Sequence, residues 1–352
     1  MVLIALLLAA SAAAQAPIDP AVLVSRGMMR QAEPLLVARL ARSSVDVEAL
    51  LLLAQVRTKQ ERLEEALQLA EQAMAAAPNE ARTHYRVAEV CGIRAQKVGA
   101  LKAAGLAKRF KREVDVALAL DPRSIDAIEA SIEFHQQAPG LVGGDKKKLP
   151  LLLDRLTAIE PSKGWARRAR VAMLQKDTTS AESHYRRAVA AEVVGNTARL
   201  AFARFLAPRF RKPGEAEKLA LEVATREPWR QEAWGMAAYL QAAHGRVAEA
   251  QATLARAEAA DPLRAGAAYM VGGTLLKDGM ELAFAEKQVR RYLAHEPEYG
   301  WPSLADAHWS LSQILERQGR KPEAITELQA ALRLQPDLDY AKKDLKRLRY
   351  GR

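Results

Sequence analysis

A ladder of prolines constrains this chain more than any other feature. Pro78, Pro122, Pro161, Pro228, Pro262, Pro297 and Pro336 each close a short helical run, in words such as AAAP, LDP, IEP, REP, ADP and LQP. Successive gaps are 44, 39, 67, 34, 35 and 39 residues, and the gap of 67 divides into 33 and 34 if one rung lacks its proline near Val194. A period of about 34 residues with two helices per period marks a helical solenoid. Such a chain grows by stacking units on their neighbours and has no single central core. Composition agrees, since 49% of the residues are apolar but only 5% aromatic, and Ala and Leu dominate. That balance favours helix over sheet throughout. The expected architecture is all-α: one domain over residues 17–352, about nine antiparallel helix pairs and a C-terminal capping helix over 337–349.

The register can be tested position by position, with each closing proline numbered 32. Position 20, where the second helix of a unit crosses the first, is Ala66, Ala216, Ala250, Ala285 and Ala324. Ala181 holds it in the unit without a proline, and Ala32 in a preceding partial unit. Position 27 repeats the demand with Ala73, Ala117, Ala188, Ala257 and Ala331. Only small side chains let two helix backbones approach this closely. Gly245 and Gly319 stand at the turn between helices, where positive φ is needed just past a helix end. The most regular unit, 305–336, reads ADAHWSLSQILERQGRKPEAITELQAALRLQP.

On these offsets the chain resembles the tetratricopeptide repeat family over roughly residues 19 to 336. The resemblance implies a right-handed superhelix whose concave face is lined by the first helix of each pair. It also implies a protein that binds proteins or peptides and has no catalysis of its own. First-helix positions 2, 5, 6 and 9 point inward in the family. They map to Arg86 and Glu89, Glu129 and Glu133, Arg167 and Arg170, Phe202 and Phe205, Met236 and Tyr239, and Trp309 and Gln313. Arg86, Glu89, Glu133, Arg167, Arg170, Phe205, Tyr239, Trp309 and Gln313 are the candidate partner-binding residues. They describe a groove running from charged to apolar-aromatic, suited to an amphipathic or extended peptide with one charged end. Members that clamp a C-terminal carboxylate use two asparagines on first helices; here Asn79 and Asn196 both lie at turns between units.

Two units within residues 79–161 depart from the register. Position 20 is Phe110 before Pro122 and Leu149 before Pro161. The first carries an insertion, and the second carries QQAPGLVGGDKKKLP between its helices. This pairing resembles a group of exported bacterial tetratricopeptide proteins with a Gly-Gly-Asp-Lys loop. A phosphate loop requires G-x-x-x-x-G-K-[ST] between a strand and a helix. Gly140, Gly143 and Gly144 lack that spacing and no Ser or Thr follows the lysines. A bent connection in which Asp145 caps a helix is the expectation. These units are where function is grafted onto the solenoid.

Residues 1–16 read as a signal peptide, an apolar run followed by small residues. Cleavage after Ala14 fits the A-x-A rule, and the run is too short to span a bilayer. It starts without Lys or Arg. The expected location is the periplasm. Cys91 has no partner for a disulfide or a zinc site and reads as a buried core residue. No catalytic set, metal site or cofactor is expected. The six histidines are dispersed, and His84 and His308 share the packing position that Trp165 and Trp234 hold elsewhere. The net charge of +11 points to an acidic protein or peptide partner. Two further readings stay open: a periplasmic ligand-binding accessory of a transporter, like the tetratricopeptide component of some TRAP-type systems, and a cytosolic nucleic-acid binder, which the spread of the basic clusters disfavours. Asp19 and Pro20 should open the first helix, and Leu345 and Leu348 should seat the cap. Trp301 is placed to wedge between units or to meet a partner.

Overall fold

The computed structural model describes residues 18–193, 195–207 and 212–351. Residues 1–16, expected to be a signal peptide, Val194, and the basic residues Arg209 and Arg211 lie outside them. Nineteen α-helices are formed among the described residues. Pair one is α1 (Pro20–Ser25) and α2 (Met29–Arg42); pair two is α3 (Val47–Lys59) and α4 (Leu63–Ala76). Pair three is α5 (Ala81–Ala95) and α6 (Ala100–Leu120); pair four is α7 (Ile125–Gln137) and α8 (Leu149–Ile159). Pair five is α9 (Pro161–Leu174) and α10 (Thr178–Ala190); pair six is α11 (Thr197–Leu206) and α12 (Pro213–Arg226). Pair seven is α13 (Gln231–Ala243) and α14 (Val247–Ala260); pair eight is α15 (Gly266–Asp278) and α16 (Leu282–Leu293). Pair nine is α17 (Leu304–Arg317) and α18 (Lys321–Leu334), and α19 (Asp339–Tyr350) caps the end. The whole is a right-handed tetratricopeptide-type superhelix.

The alanine register sets this packing. Ala32, Ala66, Ala181, Ala216, Ala250, Ala285 and Ala324 are all fully buried. So are Ala73, Ala117, Ala188 and Ala331. A larger side chain there would push the paired backbones apart and cost the contacts on both sides. The turns agree: Gly245 and Gly319 have φ of +76° and +79°. Asp19 accepts from the Ala21 N–H at 2.9 Å with Pro20 as the first helical residue. At position 4 a polar ring ties two of the units to the previous turn. His84 Nε2 lies 2.9 Å from the Pro78 carbonyl, and Trp234 Nε1 donates to the Pro228 carbonyl at 3.0 Å. One rung differs from the others: α8 ends at Ile159 and Pro161 is itself the first residue of α9, so the turn shrinks to Glu160.

Leu348 is buried, Leu345 packs against the same core, and the lysines of α19 face water. Trp301 is a wedge: a Cβ on Gly266 would stand 2.7 Å from its ring. No described helix is long and apolar enough to cross a membrane.

The superhelix also returns upon itself. Pair one packs against the turns that precede α13, α15 and α17. The Arg30 N–H donates to Glu298 at 3.1 Å, its Nε donates to the Pro297 carbonyl at 2.5 Å, and its Nη1 pairs with Glu296 at 2.5 Å. The same guanidinium lies 4.4 Å from the Tyr299 ring centre, and the Tyr299 hydroxyl donates to Glu33 at 2.7 Å. Arg26 lies 4.6 Å over the Trp229 ring, and Arg264 donates to the Arg26 carbonyl at 3.1 Å. This seam is built of polar groups and cation–aromatic contacts.

Candidate functional site

In the irregular units the packing opens into a cavity of about 690 Å³. It lies between α5, α6 and α7. Its first cause is length. Helix α6 has 21 residues, against 11 to 14 in the second helices of the other pairs. The additional turns carry Ala100, Ala103, Ala104 and Ala107 toward the cavity, at the i, i+3, i+4, i+7 spacing of one helix face. The second cause is Phe110, which replaces the register's alanine. A Cβ on Gly92 would stand 2.9 Å from the Phe110 ring, so the glycine admits it. Phe110 in turn stacks on Phe134 of α7, with centroids 5.6 Å apart. Together with Ile93 and Val142 these residues give the cavity an apolar floor.

Helix α7 forms the facing wall with Asp126, Glu129, Ala130, Glu133, Phe134 and Gln137. The connection to α8 closes one end through Ala138, Pro139 and Val142. It is a tight bend. Gly143 has φ of +97°, and a Cβ on Gly144 would lie 1.8 Å from the Ala138 carbonyl oxygen. His135, only 4% exposed, accepts the Asp145 N–H on Nδ1 at 3.1 Å. Burial, then the charges of Lys148 and Lys111, hold its pKa below the usual histidine value. Asp145 accepts the Lys147 N–H at 3.0 Å and so caps a single 3-10 turn, Lys146–Lys148, ahead of α8. The three lysines are exposed. The glycines serve the bend.

Four carboxylates stand at this site: Glu89 on α5 and Asp126, Glu129 and Glu133 on α7. Two cations answer them. Arg167 of α9 donates to Glu129 at 3.1 Å and reaches Glu133 at 3.9 Å, and Arg86 pairs with Glu89. Asp126 is exposed and makes no ion pair among the described residues. Burial pushes the Tyr85 hydroxyl pKa up, and the charges of Glu89 and Asp126 push it further in the same direction. The site is therefore negative inside a chain of net charge +11.

Of the residues the sequence singles out, Glu89, Glu133 and Arg167 meet at this cavity, and Arg86 stands beside it. Arg170 is exposed on α9, outside the lining. Phe205 requires a correction: it is 7% exposed and packs on Tyr185 with centroids 5.2 Å apart, so it is core. Phe202 and Met236 are buried with it, so the aromatic half of the expected groove is filled from within. Tyr239 is half-buried and donates to Asp278 at 2.6 Å. Trp309 is taken by the cap, with Nε1 donating to Asp344 at 2.8 Å and its ring 4.5 Å from that of Tyr340. Gln313 is half-buried on α17. Sequence reasoning missed Tyr85, Asp126, Phe134 and the alanines of α6. The signal was present: an inserted stretch with small residues at helical spacing and no partner for that face.

The other expected features resolve locally. Cys91 is buried, and burial raises its thiol pKa. His308 Nδ1 lies 2.6 Å from Glu327, and His84 Nδ1 2.8 Å from Glu113. Asn196 is buried and donates to Glu227 at 3.0 Å. Several basic residues carry ion pairs to neighbouring carboxylates: Arg109 with Glu71, Lys111 with Asp115, and Arg347 with Glu316 and Asp344.

Residues 22–129 match the sequence model of a family described as regulator of microtubule dynamics protein 1-3. Residues 281–339 match a tetratricopeptide repeat model. No curated protein matches the sequence. Among solved structures, yeast Tom70 aligns with a TM-score of 0.53 at 12% identity, over 95% of this chain and 82% of that one. A chain of the APC/C hetero-tetramer Cut9–Hcn1 aligns with a TM-score of 0.44 at 14% identity, over 91% of this chain. The present chain spans 59% of that chain's length. Pseudomonas aeruginosa pilF aligns with a TM-score of 0.39 at 17% identity, over 63% of this chain and 98% of that one. The likeness to Tom70 is one of fold, and the repeat match agrees with it.

Proposed function

We propose that this protein is a non-catalytic scaffold of the bacterial cell envelope, exported by its first 16 residues, that holds a segment of a partner protein between α5, α6 and α7. The observation that carries this reading is the cavity itself. In the other pairs, apart from pair four with Leu149, the register brings helices together through alanine. Here a longer helix and a large ring hold them apart, and the opened space is floored with apolar side chains. Apolar concavities with a few converging polar groups are the usual form of a binding site. The histidines and the lone cysteine, all among the described residues, are engaged in packing or in local hydrogen bonds.

Crosslinking and pull-down from the native cell tests the reading, with the wild-type chain beside Ala104→Trp, which fills the cavity. The wild type is expected to retain a protein partner that the variant loses. N-terminal sequencing of the mature protein tests export: a chain beginning at Gln15 is expected, and an intact Met1 counts against it. One observation favours a second reading, a ligand-binding accessory of a transporter. The volume of about 690 Å³ also lies within the range of small-molecule sites. Native mass spectrometry separates the two, since a bound small molecule in the purified chain with no protein partner would move the assignment to the carrier.

A further inference from the structure

Resting on the reading of the cavity as a protein-binding site, we propose that its occupant is the apolar face of a cationic amphipathic helix. Four observations converge on that chemistry. The first is charge. Glu89, Asp126, Glu129 and Glu133 stand against Arg86 and Arg167, so the walls are negative where the chain as a whole is positive. Both arginines are already paired with these carboxylates, which leaves an acidic partner no free cation in the lining. The partner's sign is thus the reverse of the one the net charge suggests.

The second observation is the floor. Ala100, Ala103, Ala104 and Ala107 form a shallow apolar strip that receives large side chains without supplying any. Leu101 and Leu141, 90% and 94% exposed, adjoin the lining residues Ala100 and Val142 and carry apolar surface beyond the cavity. Exposed leucines next to the lining suit an occupant longer than the cavity.

The third is backbone chemistry. The walls are helices, whose backbone N–H and C=O groups are already paired within each helix. An extended segment buried among them would leave its own backbone unsatisfied, whereas a helix satisfies its backbone internally. The fourth is spacing. Asp126 and Glu133 stand seven residues apart on α7, about 10 Å along the axis. Lysines or arginines two turns apart on a facing helix reach both.

The test uses the mature full-length chain and two fluorescein-labelled 14-residue peptides. One is a Leu–Lys amphipathic helix with cations two turns apart; the other is its Leu–Glu counterpart. Fluorescence anisotropy at low salt is expected to give binding of the Leu–Lys peptide about tenfold tighter than the Leu–Glu peptide. Asp126→Asn combined with Glu133→Gln should erase that preference, and added salt should weaken it. Ala104→Trp should abolish binding while circular dichroism shows unchanged helix content. Preference for the Leu–Glu peptide, failure of both peptides to bind, or indifference to Asp126→Asn with Glu133→Gln would overturn the cationic-helix proposal. In those cases the scaffold reading stands as long as the native partner is still lost with Ala104→Trp. Binding that survives Ala104→Trp, together with a native partner that also survives it, overturns both.

Discussion

Pair nine and pair three are made by the same rule, and they differ in the length of the second helix and in how one position is filled. In pair nine Ala324 sits where α18 crosses α17, fully buried, and the two helices meet with Leu311, Ile314 and Leu328 sealed between them. In pair three that position is Phe110, half-buried, with Gly92 opposite. The apolar residues of α9 to α19 form one continuous core. Those of α1 to α8 fall into smaller separate clusters. A solenoid makes a site by interrupting its own close packing.

Exchanging the two residues is the most severe test of this contrast. Ala324→Phe forces a ring into a sealed crossing and should cost about 3 kcal/mol, read as a fall in the urea midpoint. Phe110→Ala supplies the residue that the register prefers, yet it should also destabilise, by about 2 kcal/mol, because Gly92 leaves a void behind it. If Phe110→Ala proves neutral, the cavity floor is not built as described. A smaller effect belongs to the seam. Arg30→Ala removes the contacts with Glu296, Pro297 and Tyr299 and should cost about 1 kcal/mol. Hydrogen exchange should quicken in pair one and at 296–299, and leave pair nine as it was. The smallest effect is one of pH. The neutral His135 ring accepts the Asp145 N–H, and its folded pKa lies below the unfolded value near 6.5. The unfolded chain therefore binds more protons in that interval. The contribution is whole above about pH 6.5 and is lost as pH falls toward the folded pKa. Protection factors at residues 140–148, corrected for the intrinsic exchange rate, should fall as pH drops below about 6.5, and those in pair nine should not. An unchanged slope in His135→Asn would remove the histidine from the account.

Much of this fold was legible because its determinants are local. Each buried alanine, each closing proline and the positive φ of Gly245 and Gly319 follow from spacing within one unit. The site was legible in place but not in form. Phe110 and the glycine connection marked the irregular units, whereas the walls arise from three helices whose facing residues cannot be ranked without coordinates. Phe205 shows why. The register assigns it to the groove, but Tyr185 from the preceding pair covers it, and such overlap depends on how far each pair turns relative to the last. The seam is further still from local reasoning, since Arg30 and Glu298 are 268 residues apart and meet only when the rotations of every intervening pair have summed.

That meeting has a consequence for how the molecule can change. An open stack of repeats tolerates gain or loss of a unit, because each contacts only its neighbours. Here the copy number is under a closing condition. Removing one pair between α3 and α12 would turn Arg30 and Arg26 away from Glu298 and Trp229, and inserting one would carry them past. The number of pairs in this array is thereby fixed by geometry, and a shuffled or permuted version would need to find its partner surface anew.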